Sequence, residues 1–151
     1  QHQLFEQSQL KRNRGLVSLY TETYIFQGGA HGNTTINTLN FLNSDKVKLL
    51  TFQDIFKENT DYQNFINERI KKEIQIRKDK GISYFEGEEG FQSVTEDQSF
   101  YFDNDSLVIL FDQYSIAPGY VGIPTFTISI EEIGEFLTED VRKALSKTKE
   151  E

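Results

Sequence analysis

Between Leu16 and Leu42 the chain reads LVSLYTETYIF, then QGGAHGN, then TTINTLNFL, and this run constrains the fold more than any other. Leu16 to Phe26 is dense in β-branched and aromatic residues and predicts a long strand. Three glycines in the five residues 28–32 forbid regular structure and mark a turn. Thr34 to Leu42 predicts a second strand, with Ile36 alternating against Thr35 and Asn37. Two long strands around a short glycine-rich loop predict an antiparallel hairpin. Of the 151 residues, 36% are hydrophobic, and 13 Phe with 7 Tyr supply all the aromatics. That is enough for one core around the hairpin and excludes a wholly disordered chain.

Downstream, Val47 to Leu50 predicts a short strand, and Thr51 an N-cap with Asp54 three residues on. Thr60 and Gln63 match a capping box. Behind them Phe65, Ile66, Ile70 and Ile74 recur at helical spacing, which predicts an amphipathic helix over 61–79, ended by Gly81. Glu68 with Lys72, and Glu73 with Arg77, fall at the i,i+4 spacing of helical ion pairs. Residues 82–97 hold two glycines and five acids and read as an exposed loop. SFYFD-ND-SLVILF predicts a second hairpin, its later strand apolar on both faces and so central in a sheet. Thr125 to Ile130 alternates as a strand, and Ser129 with Glu132 caps a last helix whose Ile133, Phe136, Leu137 and Val141 face inward. The expected fold is α+β: an antiparallel sheet with one long amphipathic helix and a C-terminal helix packed on it. The expected division is a single domain over 16–145 and a charged tail over 146–151. Residues 1–15 read as the remnant of a preceding segment, or as a frayed helix.

The sequence offers little machinery for catalysis. Zero Cys excludes disulfides, thiolate metal sites and a Cys nucleophile. His31, between Ala30 and Gly32, is the only His beyond the first two residues. One His does not make a metal site, and no GxSxG-like elbow accompanies it. Its expected role is structural, holding the hairpin loop through a ring nitrogen, with Gly28, Gly29 and Gly32 giving that loop its freedom. Glu86, Glu88 and Glu89, or Asp103 with Asp105, are acidic enough for Ca²⁺ but do not follow EF-hand order. No cofactor is expected.

Charge is more informative. The formal net charge of −8 hides an asymmetry, because residues 81–140 contain 13 acids and no Lys or Arg. Such a stretch repels phosphate backbones, so nucleic acid is not an expected partner. It attracts a cationic protein, or it is simply a solvated face. Glu86, Glu88 and Glu89 are its candidate contacts. Tyr114 and Tyr120 lie in YSIAPGYVGIP, a structural loop whose path is set by Pro118, Gly119, Gly122 and Pro124, and are either interface anchors or lids over the core. No apolar run approaches the ~18 residues of a membrane span. The sequence contains no Met and reads as a processed or excised piece, with contact to a membrane only through an anchor outside it.

GGAHGN before a strand, then LTFQDIF, a long amphipathic helix, DQSFYF, LVILFDQYSIAPGYVGIP and TFTI together resemble one family over roughly 16–140. It is the C-terminal extracytoplasmic domain of RsiV-type anti-sigma factors, a domain type shared with the peptidoglycan deacetylase PdaC and with bacterial lipoproteins. The resemblance implies a non-catalytic binding or sensor domain on the outer face of a bacterial membrane. It further implies lysozyme, a cationic protein, as partner. A second reading is a cell-wall accessory domain that binds peptidoglycan glycan or positions a neighbouring enzyme. A third is a hydrolase using His31, for which the loop supplies no adjacent acid or nucleophile.

Overall fold

In the computed structural model, which describes residues 2–147, the hairpin is the centre of a four-stranded antiparallel sheet. Its strands are β1 (Gln3–Asn13), β2 (Leu16–Phe26), β3 (Asn33–Asn43) and β4 (Val47–Leu50), in that order across the sheet. The register runs from Leu16 opposite Leu42 to Ile25 opposite Asn33. A second antiparallel sheet holds β5 (Ser99–Asp103), β6 (Ser106–Leu110) and β7 (Thr125–Ser129), with β6 in the middle. The helices are α1 (Tyr62–Asp79), α2 (Ile130–Ile133) and α3 (Glu139–Ser146). The α+β class is as expected, with the strands divided between two sheets.

Antiparallel pairing puts Leu16, Ser18, Asn40, Leu42 and Leu50 on one face of the first sheet, and all five are buried. Two polar groups stand among them. Asn40 accepts from Ser18 Oγ at 2.6 Å and donates to the carbonyl of Phe100 at 2.8 Å. The Phe100 amide in turn donates to Thr38 Oγ1 at 3.1 Å. These bonds tie β3 to β5 and fix how the two sheets meet. Asn40→Ala leaves the Ser18 hydroxyl and the Phe100 carbonyl without a partner in a dry interior, with an expected loss of about 2–3 kcal/mol. Urea unfolding of Asn40→Ala, Ser18→Ala and the double variant checks this; the double should cost less than the sum.

Ile66 and Ile70 of α1 are fully buried in one cluster with Phe100, Ile109, Phe126 and Ile128, while Phe65 and Ile74 are half-buried against it. β6 is buried from Leu107 to Leu110, as its unbroken apolar run predicts. Arg77 packs inward. Its guanidinium lies 4.3 Å from the Phe126 ring centroid and donates to Tyr84 Oη and the Thr125 carbonyl, both at 2.8 Å. It thereby satisfies the first carbonyl of β7, that of Thr125.

Several local expectations are corrected. Residues 3–13 are neither helix nor fray but the edge strand β1, paired along its whole length with β2. The Thr60–Gln63 capping box does not form: Thr60 donates to the Lys57 carbonyl, and Gln63 reaches across to the Val94 carbonyl. At 51–54 the capping bond runs the other way, from the Thr51 amide to Asp54 Oδ2 at 2.9 Å. Glu68 pairs with Lys71, not Lys72, whereas Glu73 does pair with Arg77. The last helix is two, because the chain tightens into a 3₁₀ turn at Gly134–Phe136 and restarts at Thr138, whose hydroxyl accepts from the Val141 amide. Residues 82–97 are exposed only in part, since Tyr84 and Val94 are core residues. Of the expected tail, Ser146 ends α3 and Lys147 caps it; 148–151 lie outside the described residues.

Two further links close the fold. Arg14, at φ 60°, donates to the Leu145 carbonyl at 2.5 Å and pairs with Asp105 at 3.1 Å. Beside it the Gly15 amide donates to the Ala144 carbonyl, so close that a Cβ on Gly15 would stand 2.9 Å from Ala144. Arg69 bonds Glu132 at 2.6 Å and joins α1 to α2. That bond, helped by the Ser129 hydroxyl, holds the Glu132 carboxyl at about 2 against an ordinary 4.5. A value lowered on folding stabilises fully above pH 4.5 and is lost as the pH falls towards 2. The pair is partly exposed and screened, so its share is small. Glu132→Gln should flatten the acid limb of urea midpoints in that window and leave the midpoint's slope at neutral pH unchanged.

Candidate functional site

Three segments distant in sequence converge beside the β2–β3 turn. β4 pairs only with Asn40–Asn43, so the Asn33–Asn37 half of β3 has an outward edge not taken by a strand. The stretch after β6 takes it instead. The Ile36 amide donates to Asp112 Oδ1 at 2.8 Å, the Thr34 amide to Gln113 Oε1 at 2.9 Å, and the Gln113 amide returns a bond to the Thr34 carbonyl. Gln113 Nε2 also donates to the Gly119 carbonyl at 2.8 Å. One side chain thus anchors the Tyr114–Pro124 segment to the sheet and fixes its bend.

Held this way, Tyr114 meets His31. Their rings stack with centroids 5.0 Å apart and planes 28° apart, and Tyr114 Oη lies 2.9 Å from His31 Nδ1. The same nitrogen is 3.3 Å from the Gly32 carbonyl. Neither bond goes to a carboxylate. Tyr114 adopts φ 72°, a left-handed conformation that costs a non-glycine residue of order 1 kcal/mol or more and persists only where the surroundings enforce it. Gly119 is part of that enforcement: a Cβ there would come within 2.4 Å of the Tyr114 ring. At the hairpin tip Gly28 and Gly29 stand at φ 94° and 96°, and Gly32 packs directly under the Tyr24 ring.

Tyr120 is different. Its ring is 69% exposed, yet it is not loose, because its hydroxyl accepts from the Ser83 amide at 2.8 Å. That bond holds the phenol below the ordinary tyrosine value. It sits in the 3₁₀ turn Gly119–Val121, entered from Pro118 and left through Gly122 at φ 78°. Pro124 closes the segment, its carbonyl accepting from the Phe111 amide. A second bond, from the Phe85 amide to the Ile116 carbonyl, fastens the 82–92 segment alongside. The acidic turn Gly87–Glu89 follows directly. Glu88 and Glu89 are exposed and make no ion pair among the described residues; Glu86 is paired with Lys78, which lowers its carboxyl's pKa.

The geometry therefore brings His31, Tyr114, Gly119 and Gly32 into contact, while Tyr120 and the three glutamates lie on segments linked to the same loop through Ser83 and Phe85. Ser83, Asp112 and Gln113, which position these groups, carry no local sequence signal, since their partners lie tens of residues away. Among the described residues no cluster of three His, Asp or Glu is arranged to hold a metal, and no helix is long and apolar enough to cross a membrane.

The chain matches, over residues 53–131, the profile of a family described as "Protein of unknown function (DUF3298)". Over 95 residues, 59% of its length, it is 38% identical to anti-sigma-V factor RsiV of Bacillus subtilis (strain 168), of which it covers 33%. Over 135 residues, 88% of its length, it is 31% identical to the peptidoglycan-N-acetylmuramic acid deacetylase PdaC of the same strain, covering 29%. The chain thus spans about a third of the length of these curated relatives. The fold recurs in a crystal structure of a DUF3298-family member from Bacteroides fragilis NCTC 9343, with a TM-score of 0.77 and 21% identity. That match covers 96% of this chain and 58% of the other. It recurs again in one from Pseudomonas aeruginosa PAO1, with a TM-score of 0.71, 20% identity, and coverage of 91% and 63%.

Proposed function

The chain belongs to the DUF3298 family, as its resemblance to RsiV-type domains implies, and on that premise we propose that it is a non-catalytic, extracytoplasmic binding domain whose partner is a cationic protein of the lysozyme kind. The observation that carries this reading is Tyr120, an exposed aromatic ring already fixed by the amide of Ser83, whose segment leads four residues later into the acidic turn Gly87–Glu89. An aromatic anchor that is ordered before binding loses little freedom on binding, which is what interface hot spots require. The carboxylates of that turn attract a positive partner. Lysozyme is the partner that the RsiV-type resemblance implies.

Calorimetric titration with a cationic lysozyme at low salt tests the reading. The expected dissociation constant is micromolar or tighter. An absence of heat up to about 100 µM, an affinity of little more than 5 kcal/mol, overturns it. The next titrant is then peptidoglycan glycan, the ligand suggested by the PdaC relative.

The charges and the ring act on different rates. Glu88 and Glu89 lie at the rim, so Glu88→Gln with Glu89→Gln should slow association several-fold at low salt. The difference should fade near physiological salt, where the Debye length is about 8 Å. Glu86→Gln should matter less, since Lys78 already neutralises it. Stopped-flow association at two ionic strengths reads both effects.

A further inference from the structure

β1 bounds the first sheet on one side, and its outer edge carries no strand. It pairs with β2 over 11 consecutive residues without a bulge, and it holds no Pro or Gly. The two-residue turn Arg14–Gly15 makes Asn13 and Leu16 a hydrogen-bonded pair. The Gly15 carbonyl, which accepts from the Asn43 amide on the β3 side, has the phase this requires. The odd-numbered residues of β1 therefore turn their backbone groups to β2, and the even-numbered ones, from Leu4 to Arg12, turn theirs outward. Among the described residues no backbone or side-chain group bonds to those outward amides and carbonyls. Native edge strands are ordinarily short, bulged or broken by proline, because a long regular edge is a template for another strand.

We infer that this edge pairs antiparallel with the same edge of a second copy of the chain, joining the two first sheets into one continuous sheet across a two-fold axis. Charge favours a second copy over another strand and sets the register. The charged side chains of β1 are Glu6, Lys11 and Arg12. Glu6 and Arg12 lie on the same face of the strand, are exposed, and make no ion pair among the described residues. They stand three residues to either side of Gln9. A two-fold axis perpendicular to the sheet, beside Gln9, sets Glu6 of each copy opposite Arg12 of the other and Ser8 opposite Leu10.

The backbone agrees with this register. A two-fold axis of this kind keeps even-numbered residues opposite even-numbered ones, and those are the residues whose amides and carbonyls point outward. The four pairs between Glu6 and Arg12 each exchange two bonds, about eight in all. Lys11 cannot take the place of Arg12, since opposite Glu6 it would point to the other face of the sheet. It is held over the Tyr101 ring, 4.8 Å from the centroid, and stands opposite Gln7 of the copy. No like charges meet, and cross-strand pairs of opposite charge hold the two edges in place.

Sedimentation velocity of the chain from about 1 to 200 µM tests this; the expected result is a monomer–dimer equilibrium in the micromolar range. Hydrogen exchange locates the contact. The amides of Glu6, Ser8, Leu10 and Arg12 should exchange several-fold more slowly at the high end of that range than at the low end, while those of Gln7 and Gln9, already bonded to β2, should change far less. Ser8→Pro removes one outward amide and leaves the β1–β2 ladder whole. It should weaken the dimer about 100-fold and leave the monomer's melt within a few degrees of the parent. Glu6→Arg should weaken the dimer about tenfold, and Glu6→Arg combined with Arg12→Glu should restore it. A chain that sediments as a monomer throughout overturns the inference, including the case in which the edge is taken by a different segment or protein. So does a dimer that leaves the outward amides exchanging freely, or one that survives Ser8→Pro. Failure of the charge swap to restore association overturns the Glu6–Arg12 register.

Discussion

Phe52→Ala is expected to lower the unfolding free energy by about 3–5 kcal/mol, the range for removing a buried phenylalanine. Phe52 is 0% exposed and meets Phe56, Phe100 and Tyr62 edge-on, with centroids at 5.1, 5.4 and 6.3 Å. It stands where the first sheet hands over to the helical part of the chain. Truncation would lose the buried area and also the aromatic contacts, each worth about 0.5–1.5 kcal/mol beyond area. In a chain of this size the loss should move the thermal midpoint down by roughly 10 °C. Phe52→Leu, which keeps most of the volume, should recover more than half of it. Urea unfolding of the two variants checks this; a midpoint unchanged in Phe52→Ala would show that neighbouring rings close the cavity at no cost.

Tyr120→Ala should shorten the lifetime of a complex with the cationic partner by about 30-fold, or ~2 kcal/mol, while leaving the melt within a degree or two of the parent. The two effects separate because the ring contributes little to the core. Of the two roles open to the loop tyrosines, Tyr114 has the half-buried, sterically enforced position and Tyr120 the exposed one. Tyr120→Phe keeps the ring but loses the bond to Ser83, so it should cost only a few-fold. Surface-plasmon dissociation rates for both variants, beside their melts, make the check. An unchanged dissociation rate for Tyr120→Ala would remove Tyr120 from the interface.

The parts of the fold that were legible in sequence were those fixed by local chemistry. β2 was read at its true ends because LVSLYTETYIF is dense in β-branched and aromatic residues and glycines follow it. α1 was read from the spacing of Ile66, Ile70 and Ile74, and β6 from an apolar run that no solvated strand would carry. β1 was missed because QLFEQSQLKRN has a weak alternation. Its strand character comes from pairing with β2 across the Arg14–Gly15 turn, where the left-handed residue is an arginine. The Thr60–Gln63 box fails because the helix is capped one residue later, at Asp61, and the Gln63 side chain turns away to donate to the Val94 carbonyl, 31 residues on. The glycine loop and the YSIAPGYVGIP segment were each conspicuous, but their union rests on Asp112 and Gln113 bonding to β3 over 76 and 79 residues. No local pattern encodes such a pairing. Nor does composition tell which of several exposed glutamates is already neutralised, as Glu86 is by Lys78.

The clasp of Arg14 and Gly15 on α3 has a kinetic consequence. It joins positions 131 residues apart, so the loop it closes runs through every element from β2 to α3 and leaves only the pairing of β1 outside it. Closing a loop of that length is costly in entropy and is repaid only once both ends exist. The Arg14–Gly15 turn between β1 and β2 therefore waits, during synthesis, for α3 to emerge. Until then the β1–β2 turn lacks its dock, and α3, with only eight residues, is too short to hold helical form by itself. Each completes the other, and the clasp should be among the last contacts made in folding.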